Sequence, residues 1–116
     1  MPIIFHIAAR EAWERARPGG SYRPGAFKVD GFIHCSTREQ VVRVADVRFR
    51  NQRGLVLLCI DTERVDAEIV YENLEGGREL FPHIYGELSA DAVVEVLEFG
   101  PGADGRFSFP KNFMRV

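Results

Sequence analysis

The chain has 116 residues, 46% hydrophobic and 28% charged, with a formal net charge of −2. That size and balance predict one globular domain over 1–116 with a real core, and the charge supplies no basic field for a nucleic-acid backbone. No apolar run approaches the roughly 18 to 20 residues of a membrane span. Met1-Pro2 leads straight into a strand-like run without a signal peptide. Two cysteines are too few for a disulfide framework, so the expected location is the cytoplasm.

Residues 3–8 form a short apolar run and the first expected strand. A helix over 9–17 follows, with Ala9, Ala12, Trp13 and Ala16 at helical spacing, ended by Pro18-Gly19-Gly20. Residues 21–30 read as an irregular loop around a Pro24-Gly25 turn. Residues 31–35 read as a second strand. Ser36-Thr37-Arg38-Glu39 is a capping-box pattern, with Ser36 as N-cap of a helix to about Arg50 that buries Val41, Val44, Ala45 and Phe49. Residues 55–60 are apolar throughout, as a central strand covered on both faces would be. Further strands are expected over 67–74 and 93–99, with 79–88 extended but interrupted by Pro82 and Gly86, and a short helical turn at 89–92. The Gly- and Pro-rich tail, 100–116, follows a core of 1–99 and is pinned to it by Phe107, Phe109 and Phe113. The order implies an α+β domain with a curved, split, mixed sheet and two main helices.

All three histidines, His6, His34 and His83, sit inside apolar strand-like runs. Imidazole is the side chain most readily used near neutral pH as donor, ligand or proton carrier, and the runs would bring the three rings into one space. The alternative for each is a buried histidine with a satisfied partner. Strand alternation puts His34 on the face of Phe32 and Ser36 and turns Cys35 away, which argues against a His34-activated Cys35 nucleophile and for core thiols at Cys35 and Cys59. Ser36 at a helix start could also present free N–H groups and a positive dipole end to an anion beside His34. No HxH, HxxxH, HExxH, CxxC, GxGxxG or GxxxxGK[ST] spacing occurs, so no metal is assigned and no Rossmann or P-loop site is expected. Glu72 and Glu79 are the candidate carboxylates, each with a solvated strand or loop position as the plain alternative. Tyr22 and Arg23 are candidates for a loop flap over the site. Tyr85 shares the alternate-residue face with His83 and would extend an aromatic wall suited to a base or ribose.

The strings Phe5-His6-Ile7-Ala8, Gly20-Ser21-Tyr22, Gly31-Phe32-Ile33-His34-Cys35-Ser36 and Phe81-Pro82-His83-Ile84-Tyr85-Gly86, with Trp13 and Leu57-Leu58-Cys59-Ile60-Asp61, resemble the bacterial domain-of-unknown-function family 952 to about Phe99. That family resembles the ADP-ribosyltransferase superfamily, which implies a split curved sheet around an NAD cleft. The resemblance implies that His6 matches the first-motif residue bonding a ribose of NAD, and that His34-Cys35-Ser36-Thr37 matches a second motif of the Ser type. A catalytic glutamate would be Glu79 or Glu72, and Ile7 stands where many relatives have glycine. The implied function is a cleft formed by His6, Tyr22, Arg23, His34, Ser36, Thr37, His83 and Tyr85, with His34, Glu72 and Glu79 as the catalytic candidates. It would bind NAD or a related nucleotide and transfer ADP-ribose to an acceptor the sequence does not name. A non-catalytic binding module with structural histidines, or a hydrolase or transferase of another class, are the alternatives.

Overall fold

The computed structural model describes residues 2–114. Its elements run β1 (Ile3–Ala9), α1 (Arg10–Ala16), β2 (Ser21–Tyr22), α2 (Phe27–Asp30), β3 (Ile33–His34), α3 (Arg38–Arg48), β4 (Leu55–Asp61), β5 (Glu68–Glu72), β6 (Phe81–Tyr85), β7 (Leu88–Ser89) and β8 (Val93–Glu98). The α+β organisation expected from the sequence is borne out. Three sheets carry it, with strand orders β1-β4-β8, β2-β7 and β3-β6-β5, and every pairing in them is antiparallel.

β4 explains the architecture. All seven of its residues are buried, so each face must be covered. Val56, Leu58 and Ile60 join Ile4, Ala8, Trp13 and Tyr22 in one core, while Leu55, Leu57 and Cys59 join Phe5, Ile7, Val41 and Ala45 in the other. Alternation along β1 and β4 thus divides the chain into two apolar layers. The second layer is closed by α3 and by the tail, where Phe107 is buried and Phe109 and Phe113 pack edge-on against Phe5.

Three local expectations need correction. Ser36 is not the helix N-cap. Its backbone is taken by a bridge to Phe5, with Phe5 N–H donating to Ser36 O and Ser36 N–H to Phe5 O, both at 2.8 Å. The cap moves one residue to Thr37, whose N–H donates to Gln40 Oε1 at 3.0 Å. Residues 21–30 are not a plain loop, because Ser21 and Tyr22 pair with Ser89 and Leu88 and a helical turn follows at α2. The 31–35 strand shrinks to Ile33–His34: Cys35 N–H still donates to Pro82 O of β6 at 3.0 Å, and Ser36 turns from β6 to the β1 edge. Gly31, at φ 79°, ends α2 in the left-handed region and swings Phe32 inward. Gly86 is needed for close approach, as a Cβ there would lie 2.7 Å from Ala67 Cβ.

Candidate functional site

The sheets part beyond the Phe5–Ser36 bridge. β1 continues along β4 while β3 pairs with β6, and the gap between them opens into a cavity of about 510 Å³. His6 to Ala9 line it from β1, Phe32, His34, Cys35 and Ser36 from the β3 side, and Phe81 and His83 from β6. Its size falls in the range of small-molecule sites.

His6 points from β1 into the first core and is 6% exposed. Its partners fix its tautomer. Nδ1 lies 2.6 Å from the carbonyl oxygen of His34, which can only accept, so Nδ1 carries the proton. Nε2 then accepts from the Tyr22 hydroxyl at 2.9 Å. Burial pushes the His6 pKa down to about 4, so the ring is neutral at physiological pH. Tyr22 is held by β2 and by edge-on contacts with Trp13 and His6. Burial also raises its pKa, so the hydroxyl stays protonated.

His34 and His83 are register partners across β3 and β6, their ring centroids 5.4 Å apart. Phe32 lies between them, stacked on His83 at 4.1 Å and tilted against His34 at 4.6 Å. His34 is half-exposed and bonds Asp30 Oδ2 through Nε2 at 2.8 Å. His83 is 6% exposed and bonds Glu72 Oε2 through Nδ1 at 2.8 Å. A carboxylate only accepts, so Nδ1 donates, and Nε2 carries no hydrogen bond among the described residues. The same Glu72 oxygen accepts from the Tyr85 hydroxyl. Tyr85 first, then His83, hold the Glu72 pKa below the usual carboxylate range, and Glu72 raises that of Tyr85.

The cavity thus gathers six of the expected residues: His6, Tyr22, His34, Ser36, Glu72 and His83. Arg23, Thr37, Glu79 and Tyr85 are outside its lining. Arg23 is exposed, 3.5 Å from Glu87 and over the Phe27 ring. Thr37 caps α3. Glu79 accepts from Arg43 Nη1 at 3.0 Å, and Arg43 lowers its pKa. Tyr22 is no flap residue, because burial among Trp13 and His6 locks it. Cys35 lines the wall, but burial pushes its thiol pKa up and leaves it a poor nucleophile. Asp30 was absent from the expected set; its position four residues before His34 was the available signal.

Residues 7–96 match a family model described as "Protein of unknown function (DUF952)". The chain belongs to this family. It is also similar to solved structures of protein CC0527 from Caulobacter crescentus. The crystal structure shares 33% identity at a TM-score of 0.81, covering 91% of this chain and 93% of that one. The solution NMR structure shares 34% identity at a TM-score of 0.80, covering 91% of each. No curated protein matches the chain. Among the described residues no helix is long and apolar enough to cross a membrane, and no group of three or more His, Cys, Asp or Glu is placed to hold a metal ion.

Proposed function

We propose that this family member binds NAD or a related nucleotide in the cavity at the sheet split. One observation carries the reading: the cavity at the split sets the Phe32 and Phe81 rings beside few polar groups, among them the His83 ring, which Glu72 orients through Nδ1. The His83 Nε2 remains within reach of water, and a ligand hydroxyl or amide would take that water's place. Rings beside few, well-placed polar groups suit a base or nicotinamide and its ribose.

His6 has both nitrogens engaged, so in this reading it orients Tyr22 and the ribose meets the Tyr22 oxygen. Transfer of ADP-ribose is the reaction that would follow. Glu72 is then the carboxylate for it, since Glu79 is turned to Arg43 outside the cavity. Calorimetric titration with NAD, and with ADP-ribose for comparison, tests the reading. It expects one saturable site for NAD that is weakened by His83→Ala; no heat with either ligand would contradict it.

A further inference from the structure

α3 sends two arginines to the segment between β5 and β6, and only one of them lines the cavity. Arg43 grips Glu79 with both terminal nitrogens, one to each carboxylate oxygen, and neither residue is in the lining. Arg48, in the last turn of the helix, meets Glu75 through Nη2 alone, at 2.8 Å. Its Nη1 and Nε carry no hydrogen bond among the described residues, so a guanidinium fork able to take two acceptors is used once. Arg48 and Glu75 both line the cavity, with side chains 57% and 74% exposed. An exposed pair of this kind contributes little and exchanges readily.

Among the described residues Arg48 is also the single arginine or lysine of the lining. Val44 and Arg48, four residues apart, share one face of α3, and both line the cavity. Ser36 lines it just before the helix begins, so the cavity follows α3 for most of the roughly 16 Å that its length spans. The rings of His34 and His83 stand at the Ser36 end, where β3 pairs with β6. Arg48 stands at the other. Asn73 and the Ser36 hydroxyl, both in the lining, add neutral donors. A ligand whose base and ribose meet the rings would extend its phosphates towards Arg48, and a phosphate offers the guanidinium the forked, charged partner that Glu75 does not.

We propose that Arg48 is the phosphate-recognising residue of this cavity and that Glu75 is the carboxylate a phosphate displaces from it. The inference rests on the nucleotide reading above and adds its phosphate contact: two pyrophosphate oxygens take the Arg48 fork. Glu75 then sets selectivity. A phosphate-free ligand leaves the Arg48–Glu75 pair in place, whereas a phosphate must compete with it. During the exchange the segment stays joined to α3 by the Arg43–Glu79 pair and by Gln40 Nε2, which donates to Leu80 O at 2.8 Å.

Calorimetric titration of wild type, Arg48→Ala and Glu75→Gln with NAD and with nicotinamide riboside tests this. The two ligands share a base and ribose, and the riboside has no phosphate. Arg48→Ala is expected to weaken NAD by at least about tenfold. Glu75→Gln removes the competing charge and should strengthen NAD by about threefold. Riboside affinity should be the same in all three proteins. Both side chains are exposed, so the melting temperatures should stay together. NAD affinity unaltered in either variant, a riboside preferred to NAD by wild type, or a riboside weakened by Arg48→Ala as much as NAD would overturn the inference and leave the cavity standing as a ligand site. Binding of neither ligand by wild type would overturn the nucleotide reading and the inference together.

Discussion

The His6 ring bridges the split in the sheet, donating from Nδ1 to the backbone carbonyl of His34 at 2.6 Å. It ties β1 to β3 just where their backbones cease to pair, and it passes orientation on to the Tyr22 hydroxyl through Nε2. The residue is therefore both a structural clasp and the support of a cavity wall.

Removing the ring should be costly. His6→Ala leaves the His34 carbonyl and the Tyr22 hydroxyl without partners and opens a hole, a loss of about 3 kcal/mol. His6→Gln can donate and accept at similar reach and should lose less than half of that. Urea unfolding of the two variants checks the ordering; equal stabilities would mean the clasp contributes nothing.

The same ring predicts an acid limb in stability. Its folded pKa of about 4 is below the ordinary histidine value of 6.5, so the unfolded chain binds the proton more readily. The His6 contribution is complete above 6.5 and is lost as pH falls towards 4, amounting to about 3 kcal/mol in all and about 2 kcal/mol by about pH 5. The advantage of wild type over His6→Gln at pH 7 should therefore disappear or reverse at pH 5. A gap that stays constant with pH would contradict the neutral, buried ring.

Glu72 should titrate higher when its hydrogen bonds are removed. Tyr85→Phe deletes the larger of the two stabilising partners, so the Glu72 carboxyl resonance should move its midpoint towards ordinary glutamate values in an NMR titration. An unmoved midpoint would remove Tyr85 from the network.

Both cysteines are buried and free, and burial raises the Cys35 pKa. A thiol reagent at neutral pH should label native protein only at the rate of unfolding and should label both thiols promptly in urea. Rapid labelling of native Cys35 would show a wall more open than the one described.

β4 was legible because six consecutive apolar residues, 55–60, fit a strand covered on both faces, and the structure extends it by Asp61. β2 and β3 were not, since two-residue strands are too short to carry an alternation. Ser36 followed a valid capping pattern, yet its pairing with Phe5 is a contact over 31 residues of sequence that no local spacing encodes. The apolar settings of the three histidines were visible in the sequence. Their connection was not, because His6 meets His34 through a backbone carbonyl rather than through its ring. Asp30 and Glu72 acquire meaning only from the neighbours that folding brings to them.

The central claim is that the split between β1 and β3 is a ligand site. Backbone and histidine-ring NMR shifts recorded during an NAD titration test it most directly. The account predicts saturable changes concentrated at Tyr22, Phe32, Phe81 and His83, with the Arg10 and Glu98 side chains, which are outside the cavity lining, unmoved. No saturable change, or changes gathered around Arg10 and Glu98, would contradict it.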